Sequence, residues 1–317
     1  MTSQPYPLAF LALLLAFAAS GAAPQRAGRI TALRGDVSII RPGKEARKPE
    51  LKEDIFEGDT LKTGARGRLQ VCFEDDSIVS IGRKAQLVVT KYLYDPSAKK
   101  GAMKIQIKEG FFRVLGGAIT RISPENFETV AGTASIGVRG CSFGGEVADG
   151  TAMIVFFGSD IGGTIDVTAD GVRRLLATAG HGLSVRRGDP PSMPSPMGRF
   201  SVRVLLSFWD QSDQLAQELA AILNAAAGID GLTEADLVDI ISIACANDEV
   251  DLFLLAKAVY PLLDEKHKAE IASAFVAAAP ANLKPKLIAL FAVLDLPPAP
   301  APTTTVKWTI RTPVSNE

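Results

Sequence analysis

Residues 189 to 196 read Asp-Pro-Pro-Ser-Met-Pro-Ser-Pro, and the chain follows different rules on either side of them. Four prolines in eight residues remove backbone donors and fix φ. Neither a helix nor a central strand can run through such a stretch. Before it, apolar and polar residues alternate with a period of two. After it, apolar residues recur every three or four positions. The pattern divides the chain into a β part at residues 28–188, a Pro-rich linker at 189–199 and an all-α part at 200–295.

In the β part, Leu69, Val71 and Phe73 share one face, with Gln70 and Cys72 on the other. Met103, Ile105 and Ile107 alternate with Lys104, Gln106 and Lys108, which predicts a half-buried strand with a basic outer face. Glu74-Asp75-Asp76-Ser77 reads as a turn, and Glu109-Gly110 reads as another that leads into Phe111 to Val114. Turn signals at intervals of about 8–12 residues suit a sandwich, a barrel or a β-solenoid. Glycines at 116–117, 137, 140, 144–145 and 162–163 permit tight corners. None sits in the strand–loop–helix context of a nucleotide site.

Beyond the linker, helices are predicted over Ser207–Ala227, from Thr233 as N-cap with Asp236 to near Asn247, and over Val250–Asp264, Lys266–Ala279 and Leu283–Leu294. Pro261 should break or kink the third. The Pro-rich tail at 296–317 is expected to be extended and disordered, with Val306–Ile310 as an alternative edge strand.

At the N-terminus, Leu8–Ala19 is an apolar run followed by Ser20-Gly21-Ala22, which predicts a signal peptide over 1–22. An uncleaved anchor is the other reading, and no Cys follows for a lipid anchor. A net charge of −1 and 22% charged residues argue against nucleic-acid or membrane-surface binding. The charge is uneven. Residues 1–200 hold 26 Lys and Arg against 20 Asp and Glu, and residues 201–317 hold 8 against 15. Either the halves attract each other or a shared partner, or two solvated parts differ in composition.

Candidate chemistry is sparse. Three cysteines are few for a disulfide framework; Cys72 and Cys141 could pair or be buried free thiols, and Cys245 falls on a helix. The two histidines are isolated: His181 between two glycines, read as a solvated turn, and His267 at an exposed helix start. No nucleophile–base–acid set accompanies them, and no metal-ligand spacing exists. Glu74-Asp75-Asp76-Ser77 supplies too few oxygens for calcium and reads as a charged hairpin turn. Asp248, Glu249 and Asp251 read as an acidic helix start. No catalytic residue, metal or cofactor is expected.

Ala131–Val147, AGTASIGVRGCSFGGEV, resembles the signature end of a FecR domain. Glu57–Val89 resembles the family's opening hairpins, Gln106–Val130 its middle segment with Pro-Glu-Asn before a short strand, and Leu175–Gly188 its closing turn. The resemblance covers roughly Gly28 to Gly188, about half the chain. It implies a mainly β, solenoid-like or rolled antiparallel sheet that binds rather than catalyses. The best-known members lie in the bacterial envelope and pass a signal from an outer-membrane receptor to a sigma factor. They carry a cytoplasmic helical segment and a membrane span before the domain. Neither is read in this sequence, so the expectation is an exported protein without that segment and without a membrane span once the signal is removed.

Gly137, Val138, Arg139 and Gly140 are the family-motif residues. Arg139 has two readings. A rigid turn could present it to a partner's carboxylate, or its guanidinium could tie backbone carbonyls or an acidic neighbour inside the domain. The expected function is a non-enzymatic, exported protein–protein interaction module with a protein partner in the bacterial envelope. The alternatives are a signalling component that reads an outer-membrane receptor, and a glycan or cell-wall binding module.

Overall fold

The computed structural model describes residues 25–159, 162–208, 213–227, 237–238, 241–242 and 251–295. The signal segment at 1–22, the tail at 296–317, Thr233, Asp236 and Cys245 lie outside the described residues.

Sixteen strands are described: β1 Arg26–Arg34, β2 Val37–Ile40, β3 Asp54–Phe56, β4 Thr60–Thr63, β5 Arg68–Phe73, β6 Ile78–Ile81, β7 Gln86–Asp95, β8 Lys100–Leu115, β9 Phe127–Ala131, β10 Ala134–Arg139, β11 Ser142–Ala148, β12 Thr151–Gly158, β13 Thr164–Ala169, β14 Val172–Leu176, β15 His181–Arg186 and β16 Ser195–Pro196. They join into one open sheet rolled into two leaves. One leaf runs β3-β1-β5-β6-β8-β11-β12-β15-β16 and the other β2-β4-β7-β8-β9-β10-β13-β14. Among the described strands only β8 and β9 pair in parallel.

Strand β8 belongs to both leaves. Its first part, Lys100–Glu109, pairs with β7 and, at Met103–Ile107, with β9. Its last part pairs with β6 and β11. The change of direction falls at Gly110, which has φ +86°. Glu109-Gly110 is therefore a bend inside one sixteen-residue strand, not a turn between two. Glycine redirects the backbone there without reversing it, and both halves keep their ladders. A Cβ at Gly110 would overlap the backbone of Ala85.

The alternation read from the sequence sets the core between the leaves. Leu69, Val71 and Phe73 meet Met103, Ile105, Ile107, Ile136 and Val138 in one buried cluster. Phe112 and Phe143 cross edge to face at 6.2 Å within it.

A second core lies on the opposite side of the β8-β11-β12 region. Phe111, Val155 and Phe157 point away from the first core and are buried against helices. The helices are α1 Ile119–Ile122, α2 Gly198–Leu206, α3 Asp213–Ala227, α4 Leu252–Val259, α5 Glu265–Ala278 and α6 Lys284–Leu294. From α2 come Val202 and Leu205, and from α3 Leu219, Ile222 and Leu223. Asp251 caps α4, accepting from the N–H groups of Phe253 and Leu254 at 3.0 and 3.1 Å. Pro261 ends that helix in a single 3₁₀ turn, Tyr260–Leu262. No helix of the described residues is long and apolar enough to cross a membrane.

The Pro-rich stretch keeps the helices close to the sheet. Ser195–Pro196 pairs with β15, Pro191 is buried, and Met197 N donates to Gly180 O at 2.8 Å. Helix α2 starts at Gly198, inside the expected linker. The contact between the halves is polar as well as apolar. Arg113, on the outer face of β8, donates from Nε and Nη2 to the two carboxylate oxygens of Glu218 on α3, at 3.0 and 2.7 Å. Both side chains are buried, with 5% and 8% exposure. Arg203 of α2 lies over the Phe111 ring at 5.3 Å and donates to Glu146 of β11 at 2.6 Å. The two pairs run in opposite senses, so local placement rather than net charge joins the halves.

Removing one partner of the buried pair strands a charge, at a cost of about 3–5 kcal/mol. Glu218→Ala should lower stability to urea by that order, and Arg113→Met with Glu218→Leu should recover most of it. Equilibrium unfolding of the single and double variants checks this. A single variant as stable as wild type would contradict the buried geometry.

Candidate functional site

The family-motif residues close the β10–β11 corner. Val138 is fully buried in the first core, and Arg139 at the end of β10 points to solvent. Gly140 has φ +58°, the left-handed conformation expected for a glycine turn. Gly137 does not have a positive φ, and a Cβ there would find only Asp166 at 4.0 Å. Of the two glycines, Gly140 is the one whose backbone requires the residue type.

The corner is clamped from the far side. Ser159 Oγ donates to Gly140 O at 2.5 Å and accepts from Gly163 N at 2.7 Å. Gly116 N donates to Cys141 O at 3.0 Å. A Cβ at Gly163 would overlap the carbonyl oxygens of Arg139 and Gly140. Gly163 is thus as much a part of the motif corner as Gly140. The sequence marked it as one of many corner glycines and gave no sign that it lies against Arg139. The guanidinium of Arg139 makes no hydrogen bond or ion pair among the described residues.

Beside this corner sits a buried polar anchor. The Asp75 carboxylate accepts from Ser77 Oγ at 2.7 Å, Ile119 N at 3.1 Å, Ser77 N at 3.3 Å and Tyr92 OH at 3.3 Å. Its carbonyl accepts from Ala118 N at 2.7 Å. Burial, and then the neighbouring Asp75, push the Tyr92 hydroxyl well above the ordinary tyrosine range. Asp75 therefore staples the β5–β6 turn to α1 and β7. Its oxygens are committed to internal donors, which accounts for the acidic turn without a cation. Nothing in the local sequence distinguishes Asp75 from its neighbours Glu74 and Asp76, because Tyr92 and Ile119 are distant along the chain.

Between the corner and α3 opens a cleft of about 670 Å³. Strands β8, β11, β12 and β13 end in its wall at Leu115, Ser142, Gly158 and Thr164, and Gln217 and Ala221 of α3 face them. Asp76 and Arg121 also line it. The cleft was not readable from sequence, since it forms only where the helical layer meets the strand ends.

The remaining residues singled out in the sequence are dispersed. His181 opens β15 and is half-buried rather than a solvated turn residue, with Nδ1 enclosed and unpartnered among the described residues. His267 is likewise half-buried on α5, against the exposed position expected. Cys72 and Cys141 are free thiols. Burial pushes the Cys141 thiol up to about 12. Burial, then Asp76, Asp75 and Glu74, raise that of Cys72. Among the described residues no three His, Cys, Asp or Glu side chains are grouped to hold a metal ion.

Residues 59–159, in the body of the rolled sheet, match the family model described as FecR protein. Two crystal structures of a candidate anti-sigma factor from Parabacteroides distasonis ATCC 8503 are similar. One is 13% identical with a TM-score of 0.33, over 43% of this chain and 59% of that one. The other is 12% identical with a TM-score of 0.35, over 46% and 64%. The chain thus spans less than two thirds of either structure. A structure described as a cell surface anchoring domain is 32% identical over 20% of this chain and 82% of its own, with a TM-score of 0.19. No curated protein matches.

The corner yields two expected outcomes. Gly163→Ala and Gly140→Val should each destabilise the fold, the first by overlap with backbone oxygens and the second by about 1–3 kcal/mol of backbone strain. Gly137→Ala should be far milder. Thermal melts of the three variants check the order, and a Gly163→Ala protein that melts with wild type would contradict the clamp. For the thiols, a raised pKa means little thiolate at pH 8. Iodoacetamide should leave Cys141 unmodified in the folded protein at pH 8 and label it once urea unfolds the chain. Rapid labelling of folded Cys141 would contradict its burial.

Proposed function

We propose that the protein is a non-enzymatic interaction module of the bacterial envelope, exported by its N-terminal apolar segment, that transmits a signal by binding another protein. The observation that carries this reading is Arg139. It stands in solvent on a corner held by Gly140, Ser159 and Gly163, and no described residue takes up its guanidinium. A cation on a rigid turn is suited to a partner's carboxylate, since its fork loses little freedom on binding. The FecR match at residues 59–159 supports the signalling side of the reading. The apolar run Leu8–Ala19 supports export.

Arg139→Ala and Arg139→Glu test it. Surface substitutions change stability by about 0.5 kcal/mol or less, so both variants should melt with wild type. Both should capture less of the partner protein from an envelope fraction, Arg139→Glu the least. A melting temperature that drops in Arg139→Ala would make the residue structural. Capture that is unchanged in both variants would remove the turn from the interaction. Co-sedimentation with insoluble cell wall in place of protein capture would move the reading to a wall-binding module.

A further inference from the structure

The cleft behind the motif corner holds polar groups that the fold leaves unused. Ser142 is 5% exposed, lines the cleft, and its Oγ has no hydrogen-bond partner among the described residues. Its neighbour Phe143 points into the first core, so by strand alternation Ser142 faces the helical side, where the cleft lies. Buried hydroxyls in native proteins are nearly always bonded, and one left free on a cleft wall marks a place for a ligand atom. Arg121 and Asp76 line the same cleft, are exposed, and make no side-chain hydrogen bond or ion pair among the described residues. The strand ends that form the wall include Gly116, Gly140 and Gly158, which place no side chain between a ligand and the backbone.

We propose that this cleft binds the carboxyl end of a peptide. An arginine and a donating hydroxyl lining one cleft offer what a carboxylate takes, one part charged and planar, the other a single O–H donor. A volume of about 670 Å³ accommodates a few residues of main chain and not a folded surface. The glycine wall suits an extended backbone lying against it. Asp76 stands ready for an amide N–H or a free ammonium. Glu218 is not available for this, because both its oxygens are held by Arg113. The inference rests on the interaction-module reading and names the part of the partner that the cleft takes.

The test uses the full chain and three probes: Ala-Ala-Ala, its N-acetyl form and its C-terminal amide, titrated by NMR with amide resonances as the readout. The carboxylates should shift Gly116, Gly117 and Cys141, and the amide should bind at least about ten-fold more weakly, as expected for loss of a charge-assisted pair. Arg121→Gln should lose affinity to the same extent, and Ser142→Ala should lose part of it. Both variants are first checked to melt with wild type. Equal binding of the free and acetylated peptides identifies the end of a longer chain. A requirement for the free ammonium, lost in Asp76→Asn, identifies a short free peptide. Binding of the amide as tight as the acid, or binding untouched by Arg121→Gln, overturns the proposal. No shift with any probe, in a protein whose partner capture still depends on Arg139, also overturns it and leaves the interaction reading standing.

Discussion

The bend of β8 at Gly110 is the constraint on which both cores depend. With φ +86° and no room for a Cβ against Ala85, the strand passes from one leaf to the other without breaking its ladders. Before the bend, Met103, Ile105 and Ile107 face the inter-leaf core. After it, Phe112 and Val114 remain in that core while Phe111 and Arg113 face outward. One strand thus supplies residues to two hydrophobic clusters, and the second exists only because the bend lays the outer face of Phe111–Leu115 under α2 and α3.

Two buried charged groups then determine how the layers seat. Asp75 and the Arg113–Glu218 pair are both withdrawn from water, which is costly unless every lone pair and proton finds a partner. Asp75 meets that demand with four donors from three parts of the chain, and the ion pair meets it with two parallel bonds between layers. Neither is a strong source of stability, since apolar replacements could be as favourable. Their effect is selective: a helix rotated or shifted along the sheet would leave Arg113 unpaired, and apolar contacts alone impose no such penalty. The surface pair Arg26–Glu74, by contrast, stays solvated and specifies little.

Much of this fold was legible in the sequence because it is written in period. The alternation at Leu69–Phe73 and Met103–Ile107 gave strands with the correct inward faces, and the switch of period at the prolines gave the helices. Pro261 marked a true helix end, and Gly140 a true positive φ. The failures share a cause. Gly110 looked like a turn because a local reading cannot tell a reversal from a bend. Arg113 and Glu218 carry no local sign of their partnership, since it joins positions 105 residues apart. Gly163 and Asp75 needed the three-dimensional neighbour to show their role. The candidate site was legible as a motif and a turn, and illegible as a cleft, because a cleft belongs to the meeting of layers and not to any segment.

The same geometry bears on what the helical layer is for. Phe111, Val155 and Phe157 lie within the stretch that matches the FecR model, yet their side chains are buried by α2 and α3 rather than by the sheet. A β part ending at Gly188 would expose these three together with Arg113, which makes a contiguous apolar patch around an unpaired cation. Covering that patch is the first task of the helices. Their position has a further consequence, because α3 crosses the strand ends just where the motif corner turns and so forms the wall opposite Ser142. The helical layer therefore both hides a face of the sheet and shapes the space next to Gly140. A change that loosens α3, such as loss of Glu218, would reach the cleft as well as the core, whereas Arg139 on the outer side of the corner would keep its place. The two surfaces of the corner are thus mechanically separable, and only the inner one is tied to the seating of the helices.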